Sequence, residues 1–148
     1  MTNTWSGYNN LGVCAVALTS VMRHLGRLTL PKALLIMPLV MHDTTVIFLA
    51  NGNTRTREVA PLVSARPDLF ANFPTRFDES LSITFNAIQL LIETGFIKLD
   101  DGLILVKPLK VDTSFGNRAK KIEKASENIA ALLSSPVEEL YLNFRVKL

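Results

Sequence analysis

The chain has 148 residues, a single cysteine and a formal net charge of +3. A domain of this length buries a sufficient core without disulfides or metals, and so mild a positive charge does not by itself indicate a nucleic-acid-binding protein. A mean hydropathy of +0.25 with only 20% charged residues leaves two interpretations open. Either the core is larger than usual, or part of the surface is apolar and covered by a partner.

Helical patterns fill the first 52 residues. We expect a first helix that begins at Asn9 or Asn10 and ends at Gly26. Pro31 suits the first turn of a second helix, and Pro38 is expected to kink or end it. This second segment is apolar on nearly every side, which indicates full burial or a face for another chain.

The middle of the chain predicts a short helix, a break and a long helix. Asp43 starts a helix that stops near residue 51, another short helix surrounds Val59, and Arg66-Pro67-Asp68 ends it. The long helix begins near Pro74 or Thr75. Its apolar stripe is predicted to pack into the core, and comprises Phe77, Leu81, Phe85, Ile88, Ile92 and Phe96. The polar residues Ser82, Asn86, Gln89 and Glu93 are expected to face outward.

Two short apolar strands, residues 97–99 and 103–106, flank Asp100-Asp101-Gly102, which has the residue types of a tight hairpin turn. A helix that leads directly into a hairpin is typical of a winged helix. We therefore predict a mainly α (α+β) fold, a winged helix-turn-helix domain with a β-hairpin wing and additional flanking helices. Residues 1–148 are expected to form one domain, with N-terminal helices over 8–52, helices plus the wing over 53–108, and a C-terminal part over 109–148.

The C-terminal part predicts a helix over residues 117–133. Ser135 and Glu138 have the spacing of a capping box, so a further turn of helix is expected to begin there. The last nine residues, LYLNFRVKL, alternate strictly between apolar and polar. This alternation predicts a terminal strand.

Catalytic patterns are not found in the sequence, so we expect a protein that is not an enzyme and has no cofactor or metal site. Cys14 lies in an apolar helical pattern and is expected to be a buried thiol. His24 and His42 are expected at helix ends. The polar N-terminus lacks the features of a signal peptide, and the apolar runs are too short for a membrane span, which favours a cytoplasmic protein without membrane contact.

A basic strip follows the predicted wing. Residues 107–124 hold two acidic residues and six basic ones: Lys107, Lys110, Arg118, Lys120, Lys121 and Lys124. Such a strip suits nonspecific contact with a phosphate backbone, but a solvated helix face has the same pattern. Residues 82–94 of the long helix carry no Lys or Arg, which argues against base reading in a major groove.

Four stretches together resemble a known family: residues 8–43 (YNNLGVC to MHD), RPDLF at 66–70, ETGFIKLDDG at 93–102 and SSPVEELYLNFRVKL at 134–148. Their order resembles the middle component of bacterial three-component ABC ATPase systems, which are similar to Lamassu-type antiviral systems. The resemblance runs from about residue 8 to the C-terminus.

The resemblance implies a non-catalytic winged-helix adaptor that joins an SMC-like ABC ATPase to an effector, often a nuclease, in a defence complex that senses foreign DNA. The alternative is a freestanding winged-helix DNA-binding protein that uses the basic strip. From the apolar residues we infer a partner interface on the second segment and the terminal strand, comprising Leu30, Pro31, Leu34, Leu35, Met37, Leu39, Met41, Leu142, Phe144 and Val146.

Overall fold

The computed structural model describes residues 2–52, 58–110 and 116–147, with side chains from residue 10 onward. The elements in chain order are α1 (Thr2–Met22), α2 (Leu30–Ala33), α3 (Ile36–Val40), α4 (Asp43–Ala50), α5 (Val59–Ala65), a 3-10 turn (Pro67–Phe70), α6 (Phe73–Glu93), β1 (Ile97–Leu99), β2 (Leu103–Leu105), α7 (Gly116–Leu132) and α8 (Val137–Phe144). The predicted mainly helical α+β class is confirmed. The polar sequence NTRTRE predicts a turn over residues 53–58, of which residues 53–57 lie outside the described part of the chain.

Helix α1 forms the centre of the core. Every residue from Val13 to Met22 is buried, and α3, α6 and α7 pack around it. The helix ends at Met22, where His24 N–H donates to the Val21 carbonyl at 3.0 Å. The predicted end at Gly26 is therefore wrong, since that glycine does not adopt the positive φ of a helix cap.

Pro38 disrupts the second segment as predicted, but the break lies one turn earlier than the proline. The segment divides into α2 and α3 at Leu34 and Leu35. Proline has no N–H to donate to the carbonyl four residues back, and its ring crowds that carbonyl. Pro38 itself sits in the first turn of α3, where a missing N–H costs little.

Arg76 ties three elements together. Its guanidinium donates one hydrogen bond of 2.7 Å to the Pro38 carbonyl of α3 and another of 2.7 Å to the Leu69 carbonyl of the 3-10 turn. It also lies over the Phe73 ring, 5.5 Å from the centroid. Burial lowers the pKa of Arg76, and the two carbonyls compensate by holding the cation in place.

The buried face of α6 differs from the predicted stripe. Phe77 and Ile88 are buried as predicted, but Phe85 and Ile92 are 46% and 39% exposed. Three small side chains, Ser80, Thr84 and Ala87, take the core-facing positions instead. Because α1 approaches closely there, with Cys14 Sγ 3.9 Å from Thr84 Oγ1, larger side chains do not fit between the helices. The residues predicted to face outward are exposed.

The predicted hairpin is confirmed: β1 and β2 pair antiparallel, with Ile97 opposite Leu105. Gly95 ends α6 with a φ of 83°, and the Phe96 N–H donates to the Leu91 carbonyl, which is the bonding of a Schellman cap. Leu28, before α2, forms an antiparallel β-bridge with Leu103, in which the N–H of each residue donates to the carbonyl of the other. The bridge places a third chain segment beside the hairpin.

Gly102 is required by two features of the hairpin turn. Its φ is 111°, a backbone conformation that residues other than glycine rarely adopt. A Cβ at this position would also lie 3.2 Å from the Leu28 carbonyl oxygen and 3.0 Å from Arg27 Cγ. The turn therefore packs directly on the segment that follows α1.

The C-terminal segment is a helix, and the predicted terminal strand is wrong. Leu140 and Phe144, four residues apart, are both buried, whereas Leu142 is 77% exposed. The helix begins at Val137 without a side-chain cap, so the predicted capping box of Ser135 is not formed. Phe144 stacks on Phe70 at 5.2 Å between centroids, and this contact selects helical over alternating burial.

Membrane-spanning helices were sought along the described residues. No single helix there is both long and apolar enough to cross a bilayer. The segment Leu30–Val40 is long and apolar enough only when it is taken together with α4, and the chain bends by 102° between the two.

The helical C-terminus predicts opposite outcomes for two leucines. Leu140→Ala removes a fully buried side chain and should destabilise the protein by about 2 to 5 kcal/mol. Leu142→Ala should change stability by no more than about 0.5 kcal/mol, since Leu142 is exposed. Urea denaturation followed by circular dichroism measures both. A larger loss for Leu142 than for Leu140 would contradict the helix.

Replacing Arg76 by Met removes the guanidinium donors from the Pro38 and Leu69 carbonyls, and the Leu69 carbonyl keeps only the longer bond of 3.4 Å from the Thr45 hydroxyl. The expected loss of stability is about 2 to 4 kcal/mol, because the two bonds are charge-assisted and partly buried. The matched control is Arg27→Met, whose ion pair with Asp100 is long (3.9 Å) and exposed, and whose loss should cost under about 1 kcal/mol. Equal losses in urea denaturation would refute the role of Arg76.

Candidate functional site

Most of the predicted partner interface lies in the chain's own core. The second segment is apolar all round because it is covered by α1 and α6, and a partner does not reach its buried side chains. Phe144 and Val146 are also buried, the former between two phenylalanines. The predicted interface residues corrected in this way are Leu34, Leu35, Met37, Leu39, Phe144 and Val146.

Four predicted interface residues remain at least partly accessible. Leu30 is 39% exposed, Leu142 is 77% exposed, and Pro31 and Met41 are half-buried. The Tyr141 hydroxyl donates a hydrogen bond of 2.5 Å to the Pro31 carbonyl, which holds α8 beside α2. Leu30 and Leu142 are the exposed sequence neighbours of the two residues that this bond joins, and the pair is called the α2–α8 patch.

A second apolar surface lies on α6, where the sequence predicted core. Phe85 and Ile92 are seven residues apart, two helical turns, and so share one side of the helix. Half-buried Leu81 precedes them on the same side. These three residues form the α6 flank patch. The small residues Ser80, Thr84 and Ala87 on the neighbouring side were the signal that the core-facing side lies elsewhere.

The basic strip is divided between two parts of the fold. Lys107 follows the hairpin and lies over the Phe96 ring, with Nζ 4.7 Å from the centroid, and Lys110 is exposed three residues later. The other four basic residues are on α7. Glu123, which could have neutralised them, instead pairs with Arg23 of α1 at 3.1 Å. The α7 residues are Arg118, Lys120, Lys121 and Lys124.

Three of these α7 residues line a groove along α4. The Asn128 amide donates to the Leu49 carbonyl at 2.8 Å and holds the two helices together. One depression of about 220 Å³ is lined by Asp43, Val46, Ile47, Arg118 and Lys121. The next, of about 400 Å³, is lined by residues that include Lys124 and Glu127. Lys120 does not line either of these depressions.

The residues with reactive side chains have structural partners. Cys14 is fully buried, and this burial raises the pKa of its thiol to about 12. His24 Nε2 lies 3.1 Å from Ser126 Oγ, between α1 and α7. His42 Nδ1 lies 2.8 Å from Thr45 Oγ1 at the start of α4. Burial is the main cause that lowers the pKa of His42, and the positive charge of Arg76 is the next.

Metal ligands do not cluster in the described part of the chain. No group of three or more His, Cys, Asp or Glu side chains there is placed to hold an ion. The two histidines are far apart in their contacts: His24 is within hydrogen-bond distance of Ser126 on α7, and His42 of Thr45 on α4.

Comparison with known proteins identifies one family. The family model described as MC3, ABC-three component (ABC-3C) system Middle Component 3, matches residues 4–148. Neither the curated proteins nor the solved structures contain a match.

The environment of Cys14 predicts an unreactive thiol. Ellman's reagent should modify it at least about 100-fold more slowly in the native protein than in concentrated guanidinium chloride, because burial suppresses the thiolate. The absorbance of the released thiol dye measures both rates. A fast native reaction at neutral pH would show that this part of α1 opens to solvent.

Proposed function

The chain belongs to the ABC-three component (ABC-3C) system Middle Component 3 family, and we propose that it is a non-catalytic adaptor. In this role it binds an SMC-like ABC ATPase component and links it to an effector nuclease in a Lamassu-type defence complex. The match over nearly the whole chain is the observation that carries the proposal. It is a cytoplasmic role, and it requires surfaces for at least two other proteins.

A non-catalytic role is supported by the placement of the reactive side chains. The thiol of Cys14 is buried inside α1, and its raised pKa keeps it protonated at neutral pH. His24 lies within hydrogen-bond distance of the Ser126 hydroxyl between α1 and α7, and His42 of the Thr45 hydroxyl at the start of α4. Each of these residues contributes to packing or to a helix end, so adaptor function needs no further chemistry from them.

We propose that α6 and the hairpin act as a winged helix. The support is the order helix, strand, strand, together with the bridge that Leu28 adds beside β2. In a DNA-reading winged helix the exposed side of the long helix supplies basic residues. The corresponding positions here are Ser82, Asn86, Gln89 and Glu93. This composition argues against base reading in a major groove.

The two apolar patches supply candidate contact surfaces for the ATPase. Phe85 and Ile92 are large side chains that the folded chain leaves exposed, and aromatic residues are enriched at the centres of protein interfaces. The α2–α8 patch adds Leu30 and Leu142.

Co-purification from cells expressing all three components tests this role. Wild-type protein should retain the ATPase, and Phe85→Asp should reduce the retained ATPase by about tenfold or more, because a carboxylate would be buried without a partner. Leu142→Asp tests the α2–α8 patch in the same way. The amount of ATPase per adaptor is read from quantitative mass spectrometry.

Asn86→Asp is the matched control, since it adds the same charge to an exposed position next to Phe85. It should leave the retained ATPase unchanged. If the wild-type chain does not co-purify with the ATPase, the adaptor function is wrong. If it does and neither patch variant has an effect, the adaptor function stands and these surfaces are wrong.

A further inference from the structure

The groove between α4 and α7 has a composition that neither apolar patch shares. The two helices run side by side in the same direction, since the start of α4 faces the start of α7 and their later turns face each other. Arg118 and Lys124 lie six residues apart on α7, which is roughly 9 Å along the helix axis. The groove is therefore long enough for about two turns of a helix or a short extended segment.

The cationic groups in this groove do not form ion pairs with the residues that the structure describes, although Asp43 and Glu127 line the same depressions. Among the described residues, neither Lys121 nor Lys124 forms an ion pair. Arg118 Nε is buried and has no hydrogen-bond acceptor in the described part of the chain. Arg118 also lines the depression, so its guanidinium can pair with the carboxylate of an incoming ligand.

In the depression that Arg118 and Lys121 line, α4 contributes two aliphatic residues next to Asp43. Val46 is buried, and Ile47 is 59% exposed. An isoleucine exposed beside Arg118 and Lys121 contributes nothing to the binding of a simple anion. This arrangement suits a ligand whose aliphatic groups pack on the isoleucine while its anionic groups bind the basic residues, as those of an amphipathic protein segment can.

We propose that the α4–α7 groove is a docking site for an acidic, amphipathic segment of a partner protein. Its carboxylates bind Arg118, Lys121 and Lys124, and its aliphatic side chains pack on Val46 and Ile47. The site is separate from the α6 flank patch. Its test requires no other component of the system, so its failure is distinct from a failure of the adaptor function.

The carboxylates in the groove favour a protein segment over nucleic acid. Asp43 lies beside Arg118, and Glu127 lies beside Lys124. Duplex DNA carries one negative charge for about every 1.7 Å of its axis, so a bound backbone would place phosphates against both carboxylates. A protein segment avoids this repulsion because it can present a backbone N–H or a basic residue at those two points.

Fluorescence anisotropy with the full chain tests the site. The probe is a labelled 14-residue peptide with Leu at helical a and d spacing and Glu elsewhere, compared with a peptide in which Gln replaces every Glu. At low salt the acidic peptide should bind about tenfold more tightly or better. Lys121→Glu or Lys124→Glu should weaken its binding by about fivefold or more, and Ile47→Ser by about threefold.

Lys120→Glu is the matched control, because it makes the same charge change on the same helix outside the groove. It should weaken peptide binding less than about twofold. Circular dichroism establishes that each variant is folded.

Three results would overturn the proposal. The first is that the acidic peptide fails to bind or binds no better than the Gln peptide. The second is that Lys120→Glu and Lys121→Glu weaken the binding of the acidic peptide equally. The third is that a 20-base-pair duplex binds more tightly than the peptide and displaces it, which would assign the basic residues to phosphate contact.

Discussion

Complete burial of α1 from Val13 to Met22 is the constraint on which the rest of the structure depends. A helix buried over ten consecutive residues, from Val13 to Met22, has to be covered on every side, and α3, α6 and α7 do so. Polar residues are tolerated in it only with internal partners, as when the Thr19 hydroxyl donates to the Ala15 carbonyl at 2.8 Å. Small residues on α6 then allow close approach, seen in the Cys14–Thr84 contact of 3.9 Å.

The same constraint decides which surfaces remain for partners. Since the small-residue side of α6 is used by α1, the larger Phe85 and Ile92 are left on its flank. Helix α7 lies between α1 and α4, joined to one by the Arg23–Glu123 ion pair and to the other by the Asn128–Leu49 hydrogen bond. The open groove beside α4 is a consequence of that placement.

Two kinds of surface suit the proposed adaptor role. The apolar patches on α6 and at the α2–α8 junction offer burial of exposed side chains, which supplies affinity in proportion to area. The α4–α7 groove offers cations that form no ion pair with the described residues, beside the aliphatic Val46 and Ile47, which supplies orientation and selectivity. A protein that joins two other proteins requires surfaces that distinguish between them, and surfaces of different chemistry meet this requirement.

The sequence by itself determined the local elements whose signals are local. The hairpin turn at Asp101 and Gly102, the cap at Gly95 and the disruption by Pro38 all arise from backbone preferences of single residues. The alternation in the last nine residues was misleading, because the C-terminal segment packs by the helical pair Leu140 and Phe144. Alternation predicts a strand only if both faces meet matching environments.

Only the tertiary structure decided which apolar residues are core and which are surface. Leu35 and Met37 belong to the core, whereas Phe85 lies on the surface, although all three stand in apolar helical patterns. Likewise, Lys120 and Lys121 are neighbours of equal charge in the sequence, and only Lys121 lines the groove. The physical reason is that burial depends on which helix lies opposite, and no local pattern specifies the orientation of a helix relative to a distant neighbour.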